Sequence, residues 1–196
     1  IDGCPAQLPL EIRSFGEYRR VNERFAEAVV EHYRDGDLIW IHDYQLMLVP
    51  ELVRKRLPCA RIGFFLHIPF PSSELFRTLP ERDAILSGLL GADLIGFHTT
   101  AYLRNFASAL LRSLGVSTEI DRLTWRGRSI RLGCFGMGID ARGFDALARD
   151  PSVLERAREV RGDSDTKILL GIDRLDYTKG VPRRLLAFER LLETHP

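Results

Sequence analysis

The chain has 196 residues, of which 45% are hydrophobic and 28% are charged. Its 28 basic and 27 acidic residues nearly cancel, so the charge balance gives no indication of a nucleic-acid partner or an anionic membrane surface. No apolar run approaches the roughly 20 residues that a bilayer-spanning helix needs, and we expect no membrane partner. The three cysteines are odd in number and widely spaced, which argues against a disulfide framework and fits a cytoplasmic protein.

Predicted strands and helices alternate over the first two thirds of the chain. Helical spacing of apolar residues predicts helices at residues 17–33, 46–57, 80–90 and 100–114. Short apolar runs predict buried strands at residues 38–43, 61–67 and 93–97. Ser72 or Ser73 is expected to cap a short turn, and Thr99 to cap the helix that ends at Gly115. Residues 117–135 predict a β-hairpin around Arg126 and Gly127.

Residues 135–140, FGMGID, form a glycine-rich break at which we place a domain boundary. Residues 141–160 are predicted to be helical. The apolar run at 168–172 then predicts a strand buried on both faces, and residues 181–192 have helical spacing, with Pro182 tolerated in the first turn. Strands that alternate with helices predict an α/β protein with parallel sheets. The predicted domains are residues 1–137 and residues 138–196.

Polar residues stand directly after four of the predicted strands. Asp43 follows LIWIH, His67 follows GFFL, His98 follows LIGF, and Arg174 follows ILLGID. In open α/β sheets the carboxyl edge is where ligands bind. Any one of these residues is explained equally well by hydrogen bonding at a strand–loop junction, but four in one chain favour a binding site.

The loop before the last predicted helix carries two cations, Arg174 and Lys179. The N-terminus of a helix presents free amides and a partial positive charge, and the two cations add full charges. The stretch therefore predicts a site for a phosphate or diphosphate. The alternative is a solvated surface pair in which Arg174 is bonded to Asp173 or Asp176.

A metal site is the second interpretation of the strand-end residues. His42, Asp43, His67 and His98 are residue types that hold a divalent metal in hydrolases, but their irregular spacing matches no recognised metal motif. His42 shares a strand with Trp40 and is expected to point away from the side of Asp43, so we interpret it as structural. We predict no metal and no cofactor.

Six blocks of the sequence, in order, resemble those of the trehalose-6-phosphate synthase family. They are YRRVN at 18–22, WIHDYQL at 40–46, GFFLHIPFPSSELF at 63–76, LLGADLIGFHT at 89–99, GID at 138–140 and GIDRLDYTKG at 171–180. The resemblance covers almost the whole chain from about Tyr18 onward, and the HIPFP and RLDYTKG blocks are highly specific for the family. One departure is Gln45, where the family usually has a second histidine.

The resemblance implies a retaining glucosyltransferase of the GT-B type, in which two Rossmann-like domains face a cleft. Such an enzyme needs no metal and transfers glucose from UDP-glucose to glucose 6-phosphate, giving trehalose 6-phosphate and UDP. By matching motifs, Arg174 and Lys179 correspond to the cations that hold the donor diphosphate. Asp43 corresponds to the carboxylate that binds the acceptor sugar, and His67 to the histidine near the transferred glucose. Asp43 and His67 are thus the expected catalytic residues.

The resemblance also implies that the chain is an internal fragment. The family's N-terminal glycine loop would precede residue 1 and the second half of the donor domain would follow residue 196, so we expect the chain alone to be inactive. Two alternatives stay open: a glucosylglycerol-phosphate synthase, with the same donor and another acceptor, and a catalytically silent regulatory subunit. Retention of all four site residues argues against the second. A homo-oligomer and a phosphatase domain fused downstream, as in some relatives, are also left open.

Overall fold

The structure is a computed structural model in which residues 14–162 and 167–195 are described. One compact unit ends at Gly138 and another begins at Ile139. The helices are α1 (Phe15–His32), α2 (Val49–Arg56), α3 (Ser73–Phe76), α4 (Arg82–Leu89), α5 (Thr100–Leu114), α6 (Ala141–Ala148), α7 (Pro151–Arg161) and α8 (Val181–Thr194). The strands are β1 (Leu38–His42), β2 (Arg61–Phe65), β3 (Leu94–Phe97), β4 (Thr118–Glu119), β5 (Arg122–Trp125) and β6 (Arg128–Cys134).

The first unit is organised around a six-stranded sheet with the strand order β1-β2-β3-β6-β5-β4. The strands β1, β2, β3 and β6 run parallel, and β5 and β4 continue the sheet antiparallel. The α/β class with a parallel sheet is therefore confirmed. The predicted hairpin is formed by β5 and β6, and its turn residues Arg126 and Gly127 have φ of 49° and 77°. Positive φ at both central residues is what a tight hairpin turn requires.

Local capping signals in the sequence are found where they were predicted. The Ser72 hydroxyl accepts a hydrogen bond from the backbone N–H of Leu75 at the start of α3, and Thr99 accepts one from Tyr102 at the start of α5. Gly115 ends α5 with a φ of 66°, which suits a residue without Cβ. Several boundaries are shifted: the helix predicted from residue 17 begins at Phe15, and the helix predicted from residue 80 begins at Arg82. The helix predicted from residue 46 is a 3-10 turn at Tyr44–Leu46 followed by α2, and the strand predicted at 61–67 ends at Phe65.

The core of the first unit lies on one face of the sheet. Ile39 and Ile41 of β1 are buried, whereas Leu38 and Trp40 on the opposite face are 67% and 66% exposed. The prediction that this strand is buried was therefore wrong for one of its faces. A run of apolar residues specifies a strand, but burial on both faces also requires a second layer, and no such layer covers Trp40 among the described residues.

The second unit begins with α6 and α7, which divide the single helical stretch predicted at 141–160. Asp150 caps α7, and Pro151 occupies its first turn, where a missing N–H costs nothing. The helix α8 forms as predicted, with Pro182 in its first turn.

The strand predicted at 168–172 is not formed, and this prediction was wrong. Residues 167–173 are irregular, and Leu170 and Ile172 are 81% and 82% exposed. A strand is held by hydrogen bonds to a neighbouring strand, and the described part of the second unit contains no strand with which this segment pairs. Among the described helices, none has an apolar stretch long enough to cross a membrane.

Candidate active site

Asp43 stands at the carboxyl end of β1 in a strained backbone conformation. Its φ is 69° and its ψ is 172°, a combination that costs a non-glycine residue about 1–3 kcal/mol. Two contacts with the next strand hold it there: its N–H donates to the carbonyl of Phe65 over 2.8 Å, and its Oδ1 accepts from the N–H of His67 over 3.2 Å. The carboxylate is thus turned away from the helical turn that it precedes, which it does not cap. Strain maintained by the surrounding fold is typical of a functional residue.

His67 lies two residues beyond the end of β2, beside Asp43. Its Nε2 is 2.9 Å from Nδ1 of His42, and the two imidazole rings are stacked with their centroids 5.2 Å apart. His42 therefore contacts His67, although its place on the strand beside Trp40 predicted that it would point away from the side of Asp43. Strand alternation does not separate His42 from this site, because Asp43 leaves the strand conformation directly after it and because His67 itself lies past the end of β2.

His98 follows β3 and completes the row of side chains at this edge. Its ring centroid is 5.6 Å from that of His67 and 4.9 Å from that of Phe65, both edge to face. The thiol of Cys134, at the end of the neighbouring β6, donates to the carbonyl of His98 over 3.4 Å. The structure therefore brings together three of the strand-end residues singled out in the sequence, namely Asp43, His67 and His98.

The helix α1 supports the segment that follows Asp43. Asn22 is fully buried, and its amide donates to the carbonyls of Tyr18 and Gln45 and accepts from the N–H of Leu48. The Tyr18 hydroxyl donates to the carbonyl of Tyr44 over 2.7 Å and accepts from the N–H of Met47 over 3.0 Å. These bonds satisfy backbone groups in a turn that lacks a regular ladder. The first block of the family resemblance, YRRVN, contains both side chains.

Burial affects the ionisation of Tyr18. It raises the pKa of the phenol above its ordinary value, although the hydrogen bonds from Met47 and Asn22 act in the opposite direction. The neutral phenol is the form that donates to Tyr44. The contact between α1 and the turn after Asp43 is thus maintained by an un-ionised Tyr18.

Arg174 and Lys179 lie in the second unit, on the loop that leads into α8. The loop contains a 3-10 turn at Tyr177–Lys179, which Asp176 caps by accepting a hydrogen bond from the N–H of Thr178. Gly180 links this turn to α8 with a φ of 63°. No side chain caps the first turn of α8. The amides at the start of this 14-residue helix therefore face the same loop that carries both cations.

Both cations are exposed, and neither is held by a close ion pair in the described part of the chain. Nη2 of Arg174 is 3.9 Å from Asp176, too far for a hydrogen bond, and the Arg174 side chain is 83% exposed. Asp173 pairs instead with Arg184. The hydrogen bonds that Asp176 accepts from the backbone and side chain of Thr178 hold the pKa of its carboxyl below the usual range. Asp176 is thus an ionised cap of its own turn, and the surface-pair alternative for Arg174 rests on a single long contact.

Over residues 14–162 and 167–195, no group of three or more His, Cys, Asp or Glu side chains is placed to hold a metal ion. The ring nitrogens of His42 and His67 that face each other are hydrogen-bonded rather than converging on a common point. The metal-hydrolase interpretation of these residues therefore gains no support from their geometry.

Comparison with known proteins identifies the family. The model of glycosyltransferase family 20 matches residues 5–196. The bifunctional trehalose-6-phosphate synthase/phosphatase of Thermoproteus tenax is 49% identical over 191 residues, which are 95% of this chain and 26% of that protein. The chain spans between 26% and 42% of the length of the curated relatives that it matches.

Two solved structures share the fold at clear sequence identity. The UDP-forming α,α-trehalose-phosphate synthase from Burkholderia xenovorans, in complex with glucose-6-phosphate, is 33% identical with a TM-score of 0.76; the match covers 94% of this chain and 41% of that one. A trehalose-6-phosphate structure from E. coli, bound with UDP-2-fluoro glucose, is 36% identical with a TM-score of 0.77; the match covers 93% and 41% of the two chains. With a family model that matches nearly its whole length, the chain belongs to glycosyltransferase family 20.

Proposed function

We propose that the full-length protein that contains this chain is a UDP-forming α,α-trehalose-phosphate synthase, which transfers glucose from UDP-glucose to glucose 6-phosphate with retention. The observation that carries the proposal is the pairing of the strained Asp43 carboxylate with the backbone of His67 at the ligand-binding edge of a parallel sheet. Because the chain belongs to glycosyltransferase family 20, we interpret this pairing as part of a site for glycosyl transfer.

The relatives support both substrates. The synthase from Burkholderia xenovorans was crystallised with glucose-6-phosphate, and the E. coli structure contains UDP-2-fluoro glucose, an analogue of the donor. We therefore assign a sugar-phosphate acceptor and a nucleotide-sugar donor to this protein. The first would be bound by residues 1–137 and the second by residues 138–196.

The donor diphosphate is assigned to Arg174, Lys179 and the first turn of α8. Breaking the bond between the anomeric carbon and the phosphate leaves negative charge on UDP, and preorganised positive groups stabilise that charge as it develops. The planar guanidinium of Arg174 can bind two phosphate oxygens at once, whereas Lys179 acts as a point charge. Both side chains are exposed in the structure and lack a competing close ion pair among the described residues, so their charges are free to act on a ligand.

The acceptor is assigned to Asp43. One carboxylate oxygen is occupied by the N–H of His67, which fixes the orientation of the group, and the other is left to accept a hydrogen bond from a sugar hydroxyl. Holding the attacking hydroxyl in line with the anomeric carbon lowers the barrier by orientation. His67 is assigned to the transferred glucose as a hydrogen-bonding group, and no covalent bond to it is required.

One alternative to the proposal stays open, and two further assignments belong to it. A second, rival acceptor is glycerol 3-phosphate, which would make the protein a glucosylglycerol-phosphate synthase. A phosphatase domain in the same polypeptide has a precedent in the Thermoproteus tenax relative. The cytoplasm is the proposed location, and free thiols at Cys59 and Cys134 agree with a reducing compartment.

The test is a UDP-release assay on the full-length protein with UDP-glucose and either glucose 6-phosphate or glycerol 3-phosphate. We expect release with glucose 6-phosphate, and a product with both anomeric bonds in the α configuration. Lys179→Ala should lower kcat/KM for UDP-glucose by a factor of about 10²–10³, by analogy with the loss of one preorganised donor to a developing anion.

The matched control is Arg190→Ala, which removes an exposed cation from α8 near the end opposite to the proposed diphosphate site, where Arg190 pairs with Glu193. This variant should retain the kinetics of the unmodified protein. Preference for glycerol 3-phosphate would replace the proposed acceptor by its rival. Equal kinetics of the Lys179→Ala and unmodified proteins would remove the diphosphate assignment.

A further inference from the structure

We infer that His42 is a positioning residue that fixes the ring orientation of His67 and couples the tautomer of His67 to its own. The inference rests on the proposed function, in which His67 binds the transferred glucose. His42 belongs to β1 and acts on His67 through the hydrogen bond between Nδ1 of His42 and Nε2 of His67.

The distance of 2.9 Å between the two nitrogens requires one of them to carry a proton and the other to accept it. Each neutral imidazole has one protonated and one unprotonated nitrogen. Once Nε2 of His67 has its role in this bond, Nδ1 of His67 must take the opposite role. The tautomers of the two rings are therefore coupled, and Nδ1 of His67 takes towards a ligand the role opposite to that of Nε2 in this bond.

The same contact determines which edge of the His67 ring is available. Nε2 is occupied, and no hydrogen bond from Nδ1 is found within the described ranges, so Nδ1 is the nitrogen left for a sugar hydroxyl. The ring is half-buried between the imidazole of His42 and the phenyl ring of Phe65, with centroids 5.2 and 4.8 Å away. Packing alone would tolerate either flip of the ring, because both flips have the same shape. The hydrogen bond removes that ambiguity.

Two consecutive residues, His42 and Asp43, therefore hold His67 in place. Asp43 holds its backbone N–H, and His42 holds its ring. The ring of His42 is itself supported by Trp40, whose centroid is 4.4 Å away on the same face of β1. This arrangement explains why a histidine, rather than another strand-forming residue, is useful directly before Asp43.

The primary test is a two-bond ¹H–¹⁵N spectrum of the full-length protein labelled at histidine nitrogens. We expect His67 to show one protonated and one unprotonated nitrogen, as for a single tautomer. In His42→Phe, which keeps an aromatic ring against Trp40, the two His67 resonances should move towards an average of both tautomers. His98→Phe is the control, because the ring of His98 contacts that of His67 without a hydrogen bond to it.

A second variant distinguishes the loss of the hydrogen bond from misfolding. In His42→Asn the side-chain amide can replace Nδ1 as a hydrogen-bonding partner, and His67 should retain a single tautomer. In the full-length protein, His42→Phe should reduce kcat by about 10- to 100-fold through lost orientation, and His42→Asn should recover part of that loss. A kcat loss that the two variants share would indicate a merely structural role.

The spectrum tests the role of His42, whereas the kinetic assay tests the proposed function, so the two can be contradicted separately. If His67 has the same tautomer in the unmodified and His42→Phe chains, the inference is wrong whatever the enzyme does. If the tautomer depends on His42 but the full-length protein transfers no glucose, the proposed function is wrong and the role of His42 in positioning His67 stands.

Discussion

The carboxylate of Asp43 accepts a hydrogen bond from the backbone N–H of His67 over 3.2 Å, instead of capping the helical turn that Asp43 precedes. This contact links the ends of two adjacent parallel strands and orients the one carboxylate to which we assign the acceptor. It also comes with a left-handed backbone at Asp43, with a φ of 69°. The surrounding fold thus maintains an unfavourable backbone conformation at Asp43. The first two predictions test how this residue affects stability and catalysis.

The first prediction concerns the strain at Asp43. Glycine adopts this conformation freely and alanine does not, so Asp43→Gly should be more stable than Asp43→Ala by about 1–2 kcal/mol, after allowance for the greater chain entropy of glycine. Both variants lose the bond to His67, which makes the alanine variant a matched control. The measurement is urea unfolding of the chain followed by circular dichroism. Equal stability of the two variants would show that the conformation is not strained.

A second prediction separates the charge of Asp43 from its shape. Asp43→Asn keeps the size of the side chain and an oxygen that can accept from His67, but it removes the negative charge. In the full-length protein we expect kcat/KM for glucose 6-phosphate to fall by a factor of about 10²–10³. The KM for UDP-glucose should change much less, and initial-rate kinetics with each substrate varied in turn measure both. An effect confined to UDP-glucose would contradict the assignment of Asp43 to the acceptor.

The third prediction uses the raised pKa of Tyr18. Because burial raises the pKa of this phenol in the folded chain, the unfolded chain ionises first as the pH rises. The contribution of Tyr18 to stability is thus fully present below a pH of about 10, the ordinary pKa of tyrosine, and is lost as the pH rises through the folded value. The free energy of unfolding should fall more steeply above that pH in the unmodified chain than in Tyr18→Phe.

Tyr18→Phe also removes two hydrogen bonds to the turn after Asp43, so at neutral pH it should cost about 1–3 kcal/mol. Arg20→Ala is the control on the same helix, since it breaks only an exposed pair with Glu17 and should change stability by less than about 0.5 kcal/mol. Guanidinium unfolding at a series of pH values measures all three proteins. Parallel pH profiles for Tyr18→Phe and the unmodified chain would exclude a titrating role for Tyr18.

A fourth prediction tests how closely the turn after α4 packs against α2. A Cβ added at Gly91 would lie 2.2 Å from the backbone nitrogen of Glu51, so Gly91→Ala should destabilise the chain by at least about 2 kcal/mol. Gly16 in α1 has no atom within 4 Å of the added Cβ, and Gly16→Ala should stabilise the chain by up to about 1 kcal/mol through helix propensity. Thermal unfolding of the two variants should therefore shift in opposite directions. A neutral Gly91→Ala would mean that the turn after α4 moves away from α2 easily.

Much of the first unit could be predicted from its sequence, because the relevant signals are local. The strands β1, β2 and β3 are short apolar runs, α5 begins after Thr99 and ends before Gly115, and the hairpin turns at Arg126 and Gly127. Each of these features depends on side chains within a few residues of one another. The same locality placed Asp43 and His67 at strand ends, and hence at one edge of a parallel sheet.

What the sequence by itself determined is therefore the order of strands and helices and the identity of the polar residues between them. Tertiary structure alone decided three other matters: the exposure of Trp40 on one face of β1, the failure of residues 168–172 to form a strand, and the bond between His42 and His67. In each case the outcome depends on a neighbour far along the chain. A strand needs a partner, a sheet face needs a covering layer, and a histidine ring needs a hydrogen-bonding group 25 residues away, and no local periodicity encodes where that neighbour lies.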